Sequence, residues 1–124
     1  MATAADIMTT EVLTTTAGAP VWSVARELIE HGYGGMPVLG PDGALVGMVS
    51  GFDVISKDGA TIGEIMSRGV VWANPGNSLA DVIQLMGLHG IRRVPVCENG
   101  RLIGIISRSD LLRYFTTQHE SSTS

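Results

Sequence analysis

The sequence repeats itself, since residues 58 positions apart resemble one another along most of the chain. The offset falls to 57 after one residue is lost in a turn. The matched pairs are Asp6-Ile7-Met8 with Glu64-Ile65-Met66, His31-Gly32 with His89-Gly90, Met36-Pro37-Val38 with Val94-Pro95-Val96, and Asp53 with Asp110. A repeat of this length indicates two copies of one supersecondary unit. Any binding site is therefore expected to occur as a related pair.

Size and composition predict that the two copies fold together. One copy is about half of the 124 residues, and so short a chain buries little apolar surface by itself. Hydrophobic residues make up 44% and charged residues 16%, so apolar side chains are expected to remain exposed after the core is filled. We therefore predict a homodimer.

Charge, apolar runs and cysteine content argue against several classes of protein. A net charge of −4 disfavours nucleic-acid binding, which needs a basic face. No apolar run reaches the length of a membrane span, and the opening residues lack the pattern of a secretory signal. The sequence therefore predicts a cytoplasmic protein without a membrane partner. Cys97 has no second thiol for a disulfide or a cysteine metal site, and its apolar neighbours predict a buried strand residue.

Each copy reads as strand, helix, strand, strand, helix. Apolar residues three and four apart predict amphipathic helices that begin near Val21 and Leu79, with Ser78 as a cap. Gly32 and Gly90 stand where a helix ends in a left-handed residue. The remaining predicted elements are two strands at 12–13 and 70–72, hairpins at 36–49 and 94–106 with Pro-Asp-Gly or Asn-Gly turns, and short helices after each hairpin. Residues 1–60 and 61–117 are thus two repeats, and 118–124 is a flexible polar tail.

A Ser-x-x-Asp motif follows each hairpin, at Ser50 to Asp53 and at Ser107 to Asp110. One interpretation is a capping box, in which the serine and the aspartate satisfy backbone N–H groups at the start of a helix. The other is a ligand site, because such a helix start attracts anions and a carboxylate accepts hydrogen bonds from both hydroxyls of a ribose. The two roles are compatible.

Several motifs together resemble the cystathionine β-synthase (CBS) domain, whose tandem pairs are called Bateman modules. These are Asp-Ile-Met-Thr, the helix ending in His-Gly, Met-Pro-Val or Val-Pro-Val, the hairpin, and the two Ser-x-x-Asp segments within residues 6–116. The resemblance implies an α+β fold of tandem β-α-β-β-α repeats packed as a pseudo-twofold pair. It also implies adenosine-containing ligands, with Asp110 and Asp53 binding ribose and the base held between the copies.

The two implied sites differ in charge. Residues 1–60 carry seven acidic and two basic side chains, whereas residues 61–124 carry five and six. Arg92 and Arg93 precede the strand at Val94, where the first copy has Gly34 and Gly35. Guanidinium groups suit phosphate, although the arginines also fit a solvated strand end. We therefore expect the Asp110 site to be the better nucleotide site.

Residues are assigned to both sites by the resemblance. The Asp110 site would comprise Thr9, Val12, Leu13, Tyr33, Gly34, Arg92, Arg93, Ser107, Ser109 and Asp110. The Asp53 site, which is the doubtful one because Phe52 replaces the small Ser109, would comprise Ser50, Phe52, Asp53, Ser67, Val70, Val71 and Ile91. Arg108 is either a further phosphate residue or an outward side chain.

The sequence predicts a regulatory module and not an enzyme, because no nucleophile with a base, phosphate loop or cluster of metal ligands is evident. No cofactor is required, and AMP, ADP or ATP is expected as the ligand ahead of NAD or S-adenosylmethionine. Occupancy would be transmitted to an unidentified partner protein. The alternative is a structural homodimerisation module with empty clefts.

Overall fold

The two sequence repeats form similar series of helices and strands, except for one short strand of the first repeat, in a computed structural model, which describes the backbone of residues 1–123 and the side chains of residues 1–119. The first repeat contains α1 (Ala4–Ile7), β1 (Thr15–Thr16), α2 (Val21–His31), β2 (Gly35–Leu39), β3 (Leu45–Ser50) and α3 (Gly51–Ser56). The second contains α4 (Ile62–Ile65), α5 (Leu79–His89), β4 (Arg93–Glu98), β5 (Arg101–Ser107) and α6 (Arg108–Thr123). The predicted α+β class is confirmed.

The predicted long helices and hairpins are confirmed. Helices α2 and α5 both end at glycines in the left-handed conformation, with φ of 67° at Gly32 and 62° at Gly90. The hydroxyl of Ser78 caps α5 by accepting a hydrogen bond from the backbone of Asp81. Strands β2 and β3 are antiparallel, as are β4 and β5, and each hairpin has an irregular register at the same place along the pair.

The predicted strands at 12–13 and 70–72 are wrong. Pairing begins three residues later in the first copy, where Thr15 and Thr16 run parallel to the end of β2. In the second copy Ala73 alone forms a parallel bridge, to Val96. Pro75 follows two residues on and has no N–H group with which to extend the pairing. Apolar β-branched residues thus identified the right region but not the residues that meet a partner strand.

The last helix is longer than expected. Helix α3 has 6 residues, as predicted for a short helix, but α6 has 16. No glycine or proline occurs between Arg108 and Thr123 to end the helix. Most of the segment assigned to a tail therefore continues α6, while Ser124 lies outside the described residues. The flexibility of this segment stays a prediction.

The structure forms two compact units whose members do not coincide with the sequence repeats. We call Leu13–Val70 the Asp53 unit, and Met1–Val12 with the chain from Val71 onward the Asp110 unit. Helix α1 of the first repeat therefore belongs to the Asp110 unit, and helix α4 of the second repeat belongs to the Asp53 unit. The pattern of the sequence did not predict these short helices, and only the family resemblance implied the exchange, by assigning Thr9 to Asp110 and Ser67 to Asp53. The repeat boundaries stay a prediction.

Each unit has its own apolar core. In the Asp53 unit the buried side chains are Val24, Leu28, Met36, Val38, Val49, Ile62, Ile65 and Met66. In the Asp110 unit they are Ala4, Ala73, Val82, Val94, Val96 and Ile106. Cys97 is buried in β4 as predicted, and burial raises the pKa of its thiol.

Candidate functional site

Asp110 caps the start of α6 in the Asp110 unit. Its Oδ2 accepts hydrogen bonds from the backbone N–H of Ser107 at 2.8 Å and from the Ser107 hydroxyl at 3.0 Å. The backbone N–H of Asp110 donates in return to Ser107 Oγ at 3.1 Å. This reciprocal pattern is the capping box expected from the sequence.

The second oxygen of Asp110 has different partners. Its Oδ1 accepts a hydrogen bond from the hydroxyl of Thr9 at 3.3 Å and pairs with Arg113 Nη1 at 3.0 Å. Asp110 is only 8% exposed, so these donors compensate for much of the water that a carboxylate normally binds. A ligand that replaces the donors to Oδ1 leaves the helix cap intact, because the cap uses Oδ2.

The opening segment of the chain delivers Thr9 to Asp110. Thr9 forms a reciprocal pair of backbone hydrogen bonds with Ile105 of β5, at 2.8 and 2.9 Å. Gly104 permits this approach, because a Cβ at that position would lie 3.0 Å from the carbonyl oxygen of Thr9 and 2.5 Å from the sulfur of Met8. The predicted association of Thr9 with Asp110 therefore has a backbone cause within the Asp110 unit.

Three arginines belong to the two segments that meet at the same helix start. The backbone N–H of Arg108 donates to the carbonyl of Arg92 at 2.9 Å, which joins the entry of β4 to the start of α6. The side chains of Arg92 and Arg108 are exposed, and that of Arg93 is half-buried. Ser109 is exposed beside Asp110. Helix N–H groups, hydroxyls and arginines are the groups that bind phosphate in proteins.

Asp53 occupies the equivalent position in the Asp53 unit but has a lysine as its partner. Its Oδ2 accepts from the backbone of Ser50 at 2.9 Å, and its own N–H donates to Ser50 Oγ at 3.0 Å. Lys57 Nζ lies 2.9 Å from Asp53 Oδ1 and also donates to the carbonyl of Ile65 at 3.1 Å. The lysine is thus held at two points.

The pKa of Asp53 reflects this environment. Burial alone would raise the pKa of this carboxyl, but the hydrogen bond from Lys57, those from Ser50 and the positive charge of Lys57 outweigh the effect of burial. The pKa consequently lies below its ordinary value of 3.8. Asp53 is therefore an ion-paired carboxylate at neutral pH.

Glycines replace the arginines in the Asp53 unit. The backbone N–H of Gly51 donates to the carbonyl of Gly34 at 2.9 Å, which reproduces the bond between Arg108 and Arg92 without their side chains. Ser67 pairs with Met48 as Thr9 does with Ile105. Phe52 stands 72% exposed where the other unit has Ser109.

The predicted site residues are divided between the units. Within the Asp110 unit, the structure brings together Thr9, Ser107 and Asp110, and the backbone links Arg92 to the same helix start. Within the Asp53 unit it brings together Ser50 and Asp53. Val12, Val71 and Ile91 belong to the Asp110 unit, whereas Leu13, Tyr33, Gly34 and Val70 belong to the Asp53 unit. The assignments that cross from one unit to the other stay predictions.

Sequence reasoning missed the two cations paired with the carboxylates. Arg113 follows Asp110 by three residues and Lys57 follows Asp53 by four. Both spacings bring side chains together on a helix surface. The sequence contains both spacings, but the two cations lie at different distances from their aspartates and so do not align in the repeat.

In the described part of the chain, no group of three or more histidine, cysteine, aspartate or glutamate side chains is arranged to hold a metal ion. Within the same residues, no helix combines the length and the apolar character needed to cross a membrane.

Comparison with known families identifies the repeat. The sequence profile of the CBS domain matches residues 4–59 and, a second time, residues 62–117. The chain belongs to the CBS domain family. Its two repeats form a CBS pair, or Bateman module, as the motifs predicted.

The CBS pair is similar in sequence and structure to known members of the family. It is 36% identical over 118 residues to the CBS domain-containing protein YhcV of Bacillus subtilis, covering 90% of this chain and 84% of that protein. CBSX2, a CBS-pair protein of Arabidopsis thaliana, has been crystallised in complex with AMP and superposes with a TM-score of 0.90 at 25% identity, covering 96% of this chain and 99% of that one. The CBS pair of protein MJ0100, in complex with 5′-methylthioadenosine and S-adenosyl-L-methionine, gives a TM-score of 0.84 at 27% identity and covers 95% and 98%.

Proposed function

We propose that this CBS pair is a non-enzymatic regulatory module of the cytoplasm that binds an adenosine nucleotide at the start of α6. Asp110 binds the ribose, while the start of α6, Ser109 and the arginines of the Asp110 unit face the phosphate. AMP, ADP and ATP are the proposed ligands. The ligand binds one arrangement of the module more tightly than another, and this shift in arrangement is what a separate partner protein recognises.

A matched pair of backbone hydrogen bonds carries this proposal. Arg108 N–H to Arg92 carbonyl and Gly51 N–H to Gly34 carbonyl have the same length of 2.9 Å. The local backbone connection is thus shared, and the side chains at the same positions are arginine in one unit and glycine in the other. This difference places positive charge at the Asp110 helix start, where a phosphate gains most from it.

The same arginines favour a phosphorylated ligand over S-adenosylmethionine. The sulfonium group of that ligand is a cation, which neighbouring guanidinium groups repel, whereas a nucleotide phosphate attracts them. The relatives support the ligand class, since CBSX2 is known in complex with AMP. NAD remains a weaker candidate that carries phosphate.

We also propose that the module is a homodimer. Large apolar side chains are exposed on helices of both units, namely Trp22, Ile29, Phe52, Ile55, Ile83, Leu88, Leu112 and Phe115. Their exposed fractions run from 55% at Ile83 to 81% at Ile29 and Ile55. Exposed apolar groups in this number are typical of a surface that another protein covers.

The alternative function is structural dimerisation with no ligand. One observation favours it, namely that both carboxylates already serve helix capping and ion pairing. In that case Asp110 and Asp53 stabilise helix starts only.

Calorimetric titration of the wild type and three variants separates these functions. AMP, ADP, ATP, NAD and S-adenosylmethionine are titrated into wild type, Asp110→Ala, Asp53→Ala and the control Asp81→Ala, which removes the exposed capping carboxylate of α5. We expect Asp110→Ala alone to abolish binding of the phosphorylated ligands. A ligand at about 100 times its Kd should stabilise the wild type by about 2.7 kcal/mol. If the wild type binds none of the five ligands, the proposed sensor function is wrong. If only Asp53→Ala loses binding, the ranking of the two sites is reversed.

A further inference from the structure

The carboxylate of Asp110 has no unused acceptor position. A carboxylate accepts about four hydrogen bonds, and Asp110 receives them from Ser107 N, Ser107 Oγ, Thr9 Oγ1 and Arg113 Nη1. A ribose diol that binds Asp110 therefore has to replace donors that are already present. The identity of the displaced donors decides what binding changes in the protein.

The geometry selects the two partners of Oδ1 as the exchangeable donors. The Ser107 N–H is fixed by the backbone at the start of α6, and the Ser107 hydroxyl also accepts the bond from Asp110 N–H. Thr9 has the longest of the four bonds at 3.3 Å. Arg113 is 71% exposed in its side chain, so water solvates its guanidinium as soon as it is released. Exposed ion pairs of this kind contribute little stability and exchange readily.

The corresponding cation of the Asp53 unit is held more firmly. Lys57 joins Asp53 to the carbonyl of Ile65 and is 44% exposed in its side chain. Its release breaks a bond to the carboxylate and a bond to the end of α4. Release of Arg113 breaks its bond to Asp110 and requires no movement of another element.

We propose that Arg113 is a specificity-determining residue of the Asp110 site that competes with the ribose for Asp110 Oδ1. This inference rests on the proposed function, because it concerns how that site distinguishes its ligands. A ligand with both ribose hydroxyls displaces Thr9 and Arg113 together. A 2′-deoxy ligand offers one hydroxyl fewer, and Arg113 then keeps its place and supplies the missing donor. Arg113 therefore weakens discrimination between ribose and deoxyribose.

The test compares AMP with 2′-deoxy-AMP, because the phosphate is the same in both and its attraction to arginine cancels in the ratio of their affinities. The ratio is measured by calorimetry for wild type, Arg113→Ala, Arg113→Lys and Arg101→Ala. Arg101→Ala removes the same charge from the exposed opposite end of β5. Thermal unfolding of every variant reports any change in the fold.

We expect the ratio of AMP to 2′-deoxy-AMP affinity to rise about two- to fivefold in Arg113→Ala, as for the loss of an exposed ion pair. Arg113→Lys should restore a ratio near that of the wild type, because an ammonium group donates to the same oxygen, and Arg101→Ala should leave it unchanged. An unchanged ratio in Arg113→Ala, with AMP still bound, overturns the competition and leaves the proposed function intact. Failure of the wild type to bind AMP, ADP or ATP overturns both.

Discussion

Asp53 and Asp110 occupy equivalent positions in the two repeats, and their surroundings share backbone contacts but differ in side chains. The shared contacts are a capping box, a bond from the helix start to the segment before the hairpin, and a segment that lies over a glycine of the second hairpin strand. The side chains around the two aspartates are different. Lysine, phenylalanine and glycines surround Asp53, whereas arginines, serine and threonine surround Asp110.

This division indicates how a duplicated fold acquires two unequal sites. The shared backbone contacts join helices and strands within each unit, so we expect a change there to affect stability. The side chains that differ lie at or near the surface, where substitution costs little stability. Function can therefore diverge between the copies while the fold remains common to both.

The largest expected effect comes from filling the glycines under the opening segments. A Cβ at Gly104 would meet Met8 and the carbonyl of Thr9, and one at Gly47 would meet Met66 and the carbonyl of Ser67 at 2.9 Å. Because a backbone oxygen cannot move alone, we expect Gly104→Ala and Gly47→Ala to lose about 1–3 kcal/mol each in urea unfolding. Only Gly104→Ala should also change the affinity for AMP, because it shifts Thr9, whose hydroxyl donates to Asp110 Oδ1.

Gly76→Ala and Gly69→Ala are the matched controls, since neither position has an atom within 4 Å of an added Cβ. They should leave stability within about 0.5 kcal/mol of the wild type. Equal stability of Gly104→Ala and Gly76→Ala would show that the opening segment is not held against β5.

The capping carboxylates should give the next largest effect. Asp81 forms a capping box with Ser78 and is exposed, so Asp81→Ala measures the loss of the box together with a long 3.4 Å bond from Asn77, about 0.3–1.5 kcal/mol. Asp53→Ala and Asp110→Ala should cost this amount and, in addition, up to about 1 kcal/mol for the lost ion pair. Thermal and urea unfolding of the three variants give the comparison. A smaller loss in either buried position than in Asp81→Ala contradicts it.

The sequence predicted well those shared features that are local. Helix stripes, glycine caps, turn residues and Ser-x-x-Asp act over a few positions and recur at an offset of 58 or 57 residues. The strand at 12–13 was misplaced because pairing is set by the partner strand and not by the apolar residues themselves. Likewise, Thr9 meets Asp110 through backbone pairing across some hundred positions, which only the family resemblance suggested.

Acid should reveal the ion pair of the Asp53 unit. The pKa of Asp53 is lowered in the folded protein, so this carboxylate contributes stability that is present above its unfolded pKa and is lost as the pH falls through the folded pKa. Lys57→Gln removes one cause of the lowering. Between about pH 5 and pH 2, we expect Lys57→Gln to lose less stability than the wild type.

Arg68→Gln is the control for this pH series, because Arg68 is exposed in the same unit and donates to the carbonyl of Gly63 and not to Asp53. Its acid dependence should follow that of the wild type. Identical pH profiles for Lys57→Gln and the wild type would mean that Lys57 does not determine the charge state of Asp53.

The smallest effect on stability, and the most direct test of the comparison, comes from transferring the arginines. An added Cβ at Gly34 meets no atom within 4 Å, and one at Gly51 lies 3.9 Å from the nearest, whereas at Gly35 it would lie 2.7 Å from the carbonyl of Val49. Gly34→Arg with Gly51→Arg should therefore change the unfolding free energy by less than about 0.5 kcal/mol, while Gly35→Ala costs about 1–3 kcal/mol. If side-chain charge alone separates the two sites, the double arginine variant in an Asp110→Ala background should regain measurable AMP binding by calorimetry. Stable protein that still fails to bind AMP would assign the difference to Phe52 or to the anchored Lys57.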